Sequence, residues 1–377
     1  MEKRAMVGAA GLFPDDIILE ILSRLPARSL HRFKCVSVPW RDLISDPANR
    51  KKLPQTLAGF LYMSISTDGI HHHFASVSGA AAPFDLSLPY LHPNKDERIT
   101  QVGACNGLLL YRGSNKSWDH FRFVVCDPAT GRWVELPPRP MLSPANRHSR
   151  IAGLAFDPAV SSHFHVIQFE ETYSSSMEAV SIYSSRTGAW SRRDCGIAEK
   201  VSMFYSGNCV FVGGMMYAIG ILEQFVLVGV DTEGKVWKTI NLPCMGPTFG
   251  TIGSSQGCLH YAIVSADDYT IGSSQDCKDS KISLWCLTDH DSNELVLKYT
   301  ASIDKLMSTT GLGYMVVAIH PDCDTVFLVS CRGDTLVAYD MQRRRVGSIL
   351  NLEKNNIEQF LPYVPLFSEP LANADGQ

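Results

Sequence analysis

"VVCDPATGRWVELP", residues 124–137, decides how most of this chain is read. VVCD is apolar and β-branched at strand length, PATG supplies the proline and glycine of a tight turn, and the large aromatic Trp133 opens a second short strand. The same unit returns as "SIYSSRTGAWSRRD" (181–194), "VGVDTEGKVWKTINLP" (228–243) and, in weaker form, "VAYDMQRRRVGSILNL" (337–352). Aligned on the residue after the turn, these give Trp133, Trp190, Trp237 and Val346, with fainter copies at Phe84 and Leu297. The six positions recur at roughly fifty residues, the period of a four-stranded, kelch-like propeller blade. Each is preceded by another pair of apolar runs, such as "CNGLLLYRG" at 105–113 and "CVFVGGMMYAIG" at 209–220. The expectation is an all-β propeller over residues 54–367, of six four-stranded blades by this count, with five or seven as the alternatives because the first and fifth copies are faint. "NIEQFLPYVPLF" (356–367) reads as one more strand, placed to close the ring and remove an exposed edge.

Composition agrees with a folded, soluble body. Of 377 residues, 45% are hydrophobic and 19% charged. The net charge of -4 gives no overall signal for nucleic acid or an anionic membrane, but it is unevenly divided. Residues 1–56 hold ten Lys and Arg against six Asp and Glu, so a head of +4 precedes a body of -8. The eleven cysteines contain no CxxC pair, and several sit inside apolar strand-like runs, so they read as reduced and buried in an intracellular protein, cytoplasmic or nuclear. The start MEKRAMVGAAGLF is too short in apolar residues for a secretory signal, and the most apolar long stretch is broken by glycines and by Glu223. Residues 1–10 and 368–377 read as flexible ends.

The head, residues 11–53, follows a different period. Pro14, Asp15 and Asp16 open a helix whose apolar positions are Ile17, Ile18, Ile21, Leu22 and Leu25. Pro26 ends it and begins a second, carrying Leu30, Phe33 and Val36; Ser37 caps a third, with Trp40, Leu43 and Ile44 on one face. Three short helices this apolar cannot bury their own surface without a metal, disulfides or a partner, and no metal ligands cluster here.

The run "FPDDIILEILSRLPARSLHRFKCVSVPWRDLISDP" (13–47) resembles a plant-type F-box, departing from it mainly at Phe13 and at Val38-Pro39. The resemblance implies docking on a Skp-type adaptor, and through it on cullin and RING subunits of a ubiquitin ligase. It assigns the contacts to Pro14, Ile18, Ile21, Leu22, Leu30, Val36 and Trp40, while Ile17, Leu25, Phe33 and Leu43 are left to internal packing and Trp40 fits either role. "CNGLLL", "DPATGRW" and "PYVPLF" also resemble the F-box-associated region of plant F-box proteins, which implies a substrate-recognition role for the propeller.

No residue set points to chemistry. His71, His72 and His73 alternate between opposite faces of a strand and cannot converge on one ion. His163 and His165 share a face but lack a third ligand. The glycines of "VGGMMYAIG" lack the strand–loop–helix setting that cradles phosphate. Asp157, Asp322 and Asp340 stand where turns want aspartate, and Arg343, Arg344 and Arg345 fall in a turn rather than an import signal. The reading is a non-catalytic receptor with no cofactor and no metal. Its rivals are an F-box scaffold outside degradation and an enzyme using the central channel. Target-reading residues are expected on loops such as 112–120, 139–150 and 264–280.

Overall fold

The computed structural model describes residues 13–24, 36–46, 57–66, 69–77, 98–114, 121–128, 131–139, 151–172, 175–204, 208–243, 250–265, 280–289, 292–352 and 357–365, with positions 33, 49, 82, 84, 86 and 91 between them. From Gly59 onward the chain forms a six-bladed propeller of antiparallel sheets. Blade 2 is Arg98–Cys105, Leu108–Ser114, Phe121–Asp127 and Arg132–Glu135. Blade 3 is Ala152–Ala155, His165–Glu171, Met177–Ser184 and Ala189–Asp194. Blade 4 is Ser202–Met203 with Val210–Val212, then Met215–Ile221, Phe225–Asp231 and Trp237–Asn241. Blade 5 is Thr251–Ser255, Cys258–Ser265, Lys281–Leu287 and Val296–Ser302, and blade 6 is Tyr314–Ile319, Thr325–Ser330, Thr335–Asp340 and Arg345–Asn351.

Blade 1 is assembled from both ends of this region. Its strands Gly59–Ser66 and Gly69–Ser76 are joined by the terminal strand Ile357–Tyr363, which pairs with Gly59–Ser66. The terminal strand is the innermost of the blade: it lies against the inner strands of blades 2 and 6, as every inner strand lies against its two neighbours around the axis. The chain therefore enters the ring at the second strand of blade 1 and returns to supply the first. Phe84 does not open a fourth strand among the described residues. It packs edge-on against Phe74 and Tyr363 at the seam with blade 2, at 6.1 and 5.3 Å.

Alternation explains the core. Strand residues facing one way meet the preceding blade and those facing the other way meet the next, giving six apolar layers that each straddle a pair of blades. The layer between blades 6 and 1 packs Phe60 edge-to-face against Phe327 at 4.5 Å, so the ring is closed by the same packing that holds its other seams. Each large apolar side chain so enclosed stabilises the fold by about 1.5–3 kcal/mol.

The residues that set the repeat are structural. Trp133, Trp190, Trp237, Leu297 and Val346 all lie in outer strands, pairing with Cys126, Tyr183, Val230, Trp285 and Tyr339. Trp190 closes the rim of the seam between blades 2 and 3, its indole donating to the carbonyl of Pro137 at 2.8 Å. Trp237 fills the place of a side chain at Gly196, where a Cβ would stand 2.4 Å from the indole. "CNG" is a tight hairpin with φ of 49° at Asn106 and 90° at Gly107, and the Asn106 amide donates to the carbonyl of Phe156 in the next blade at 2.6 Å. Gln256-Gly257 is a similar hairpin that also reaches the blade 6 side, its Gln256 backbone N–H donating to the Pro321 carbonyl at 2.7 Å and its side-chain amide to the Asp322 carbonyl at 3.4 Å.

The head contributes two described helices, Asp15–Ser23 and Val38–Ser45. Leu25 and Leu30 lie outside the described residues. Ser37 caps the later helix, its hydroxyl accepting from the Trp40 amide at 3.3 Å, with proline in the first turn. No described helix is long and apolar enough to cross a membrane.

Candidate docking face and polar sites

The first helix divides its apolar residues between two directions. Ile18, Leu19 and Leu22 point inward and form, with Ile44, a small core that Phe33, Trp40 and Leu43 flank. Leu22 is completely buried, and Phe33 meets Trp40 edge-to-face at 5.4 Å. One step round the helix, Ile17 and Ile21 are 48% and 51% exposed, and Phe13 and Pro14 continue that stripe outward. Val36 and Val38 add two more exposed aliphatic groups at the start of the later helix, at 60% and 59%. A four-residue core cannot cover an apolar arc this wide, so half of it faces water.

This sorts the expected adaptor contacts. Pro14, Ile21 and Val36 are exposed, Trp40 is half-buried, Ile18 and Leu22 are inside the head, and Leu30 lies outside the described residues. Ile17, expected inside, is on the exposed stripe, while Phe33 and Leu43 do pack inward. The sorting reflects helix phase: Ile17 and Ile18 differ by a 100° turn, and sequence spacing alone does not say which half of a continuous apolar arc meets the neighbouring helix.

In the propeller the histidines diverge as alternation requires. His73 bonds the Ser64 hydroxyl at 2.8 Å and stacks on Tyr62, His72 meets the edge of Tyr111, and His71 bonds the Ser66 hydroxyl at 3.1 Å. No group of three or more metal-ligating side chains is found among the described residues. Asp157, Asp322 and Asp340 stand in separate turns; Asp157 accepts from the Ala159 amide at 2.9 Å and Asp340 from the Arg343 amide at 2.8 Å. Of the eight described cysteines, Cys105, Cys126 and Cys286 are buried and burial pushes the Cys286 thiol up to about 11, whereas Cys331 is exposed, against expectation.

One polar cluster escaped the sequence reading. Glu170, in the second strand of blade 3, is nearly buried and holds both Arg139, from the connection leaving blade 2, and Arg192, from the outer strand. Arg192 sits 2.9 Å from Glu170 and 2.6 Å from Asp194, and the Ser181 hydroxyl donates to Glu170 as well. Burial works to lower the Arg192 pKa, but the Glu170 hydrogen bond and nearby carboxylates outweigh it and leave it raised. Glu171, on the opposite face, accepts from the Met203 amide of blade 4 at 2.8 Å. The available signal was "FEE" closing an apolar strand, two acids where a soluble edge needs none.

The channel is bridged. The Asn208 side-chain amide, just ahead of the inner strand Val210–Val212 of blade 4, donates to the carbonyl of Phe360 in blade 1 at 3.4 Å. Blades 4 and 1 stand opposite in a ring of six, so this contact crosses the axis. Residues 115–120, 140–150 and 266–279, the greater part of the expected target-reading loops, lie outside the described residues.

A family model described as "F-box protein At3g26010-like, beta-propeller" matches residues 61–362, and the F-box domain model matches residues 12–52. The chain belongs to this family of F-box propeller proteins. Curated relatives from Arabidopsis thaliana include F-box protein At5g07610, 30% identical over 61% of this chain and 56% of that protein. F-box protein At5g49610 is 25% identical over 85% of this chain and 86% of its own length, and F-box protein At3g26010 is 25% identical over 91% and 80%. The chain thus spans little more than half the length of F-box protein At5g07610. Among solved structures, a nidogen/laminin complex aligns with 80% of this chain at 9% identity and a TM-score of 0.43. A GH93 α-L-arabinofuranosidase of Fusarium graminearum covers 72% at 13% identity and 0.44.

Proposed function

We propose that this F-box propeller protein is the substrate-recognition subunit of a Skp–cullin–F-box ubiquitin ligase. The observation that carries the reading is the uncovered stripe of Phe13, Ile17, Ile21, Val36 and Val38 above a closed four-residue core. Obligate interfaces look like a domain core cut in two, and this head is such a half. The adaptor completes it, and Pro14, Ile21, Val36 and Trp40 belong to the contact with Ile17 and Val38 added. Ile18 and Leu22 support that face from beneath. The head's positive balance suits an acidic adaptor and acts mainly on the rate of encounter.

The propeller's part is to hold a target so that its lysines stay close to the ubiquitin-charged enzyme, a gain in effective concentration that needs no covalent chemistry in this chain. The bridge from Asn208 to Phe360 supports a surface role over one in the channel. The test is co-purification of the full chain with a Skp-type adaptor, comparing the native protein with Ile17→Asp/Ile21→Asp. Loss of the adaptor with an unchanged propeller melting transition is expected. Retention at native levels removes the assigned face.

A further inference from the structure

Propeller blades end in outer strands whose free edges must be protected. Blade 2 ends in a strand of only four residues, Arg132–Glu135. The outer strand of blade 3, AWSRRD, carries three charges; those of blade 4, WKTIN, and blade 5, VLKYTAS, each hold a lysine. In blade 1, Gly69–Ser76 is half-buried along nearly all its length. Blade 6 differs. Its outer strand Arg345–Asn351, RVGSILN, has no charge after its first residue, no proline, and six of seven residues exposed.

The edge is also oriented for pairing. The Leu352 amide donates inward to the carbonyl of Asp334 at 2.8 Å. By alternation Leu350 points inward too, and Ile349 and Asn351 turn their amide and carbonyl groups away from the sheet. Ile349 stands opposite Val337 and Val346 opposite Tyr339, and both partners belong to the layer between blades 5 and 6. Ile349 and Val346 therefore form an apolar stripe on the blade 5 side, exposed at 54% and 37%. At the strand's beginning, Arg343, Arg344 and Arg345 are all exposed, and Asp340 pairs with Arg343 at 3.3 Å. That end carries an excess of positive charge.

We infer that the outer edge of blade 6 takes up an extended segment of a target protein as a fifth, antiparallel strand, with apolar residues at alternate positions and acidic residues at its carboxyl end. Main-chain hydrogen bonds to Ile349 and Asn351 supply the pairing, Val346 and Ile349 the alternate side-chain contacts, and the arginine turn the polarity. An antiparallel strand brings its carboxyl end beside Arg345, so charge complementarity fixes the direction. The inference rests on the receptor reading only in calling the occupant a target; peptide uptake stands or falls without the adaptor.

The probe is a fluorescein-labelled peptide of alternating Thr and Val followed by two carboxyl-terminal Glu, titrated against the full chain. Saturable binding is expected, with slowed hydrogen exchange at the Ile349 and Asn351 amides. Moving the two Glu to the amino end, or replacing them with Lys, is expected to weaken binding at least about tenfold. Ile349→Pro removes an outward donor without touching the internal ladder and is expected to weaken it similarly, as is Arg344→Glu. If Ile349→Pro fails to fold, the surface change Ile349→Lys takes its place. Equal affinity for all three peptides, binding unchanged in these variants, or concentration-dependent self-association lost in Ile349→Lys would each overturn the proposal, the last by giving the edge to a second copy.

Discussion

The head and the ring of this molecule handle apolar surface in opposite ways. The ring repeats one solution six times: each sheet is covered on both faces by its neighbours, and the returning strand Ile357–Tyr363 covers the seam that would otherwise stay open. The head has one small core, and a second apolar stripe that nothing in the described chain covers. The closed ring covers its apolar faces from within, whereas the described part of the head leaves a stripe of apolar side chains exposed. The contrast teaches where association is written: in the apolar surface left after the fold has satisfied itself.

Breaking the ring should have the largest effect. Deleting residues 357–377 removes the innermost strand of blade 1 and opens two apolar layers, and loss of the cooperative melting transition is expected by calorimetry. Next comes the polar seam of blade 3. Glu170→Ala removes the buried carboxylate that Arg139 and Arg192 share, and should destabilise by about 3 kcal/mol in urea titration. In the head, Leu22→Ala should lower stability by about 2–5 kcal/mol and weaken the adaptor indirectly. Ile21→Ala should leave stability within about 0.5 kcal/mol and still reduce adaptor affinity. That pair separates support from contact, and equal loss of stability in both would merge them.

The smallest effect is on pH dependence. Burial lowers the pKa of His165, His260 and His320 from the ordinary histidine value of 6.5. The unfolded chain then binds more protons below 6.5, so ring stability is full above that pH and falls as the pH drops through the folded pKa values. A lower melting temperature at pH 5.5 than at pH 7.5 is expected, and His320→Gln should narrow the gap.

The ring was legible because its signals are local. A tight turn followed by Trp133, Trp190 or Trp237 marks the outer hairpin, and the glycine after Asn106 marks the inner one. Phe84 follows the small-residue run SGAAAP, and an aromatic after such a turn serves as rim packing as readily as a strand opening. The terminal strand was legible as a strand, but its inner position depends on partners some three hundred residues away in sequence. Glu170 was invisible for a similar reason: its two arginines come from a connection and an outer strand, and charge in a strand reads as a solvated face until the fold brings the partners in. In the head, the existence of an apolar excess was plain from composition, whereas its division between Ile17 and Ile18 needed the neighbouring helix.

Hydrogen exchange of the full chain with and without a Skp-type adaptor tests the central claim most directly. The account expects strong added protection across 13–24 and 36–46 and none in the strands of the ring. Protection confined to propeller strands, with the head exchanging as before, would contradict it.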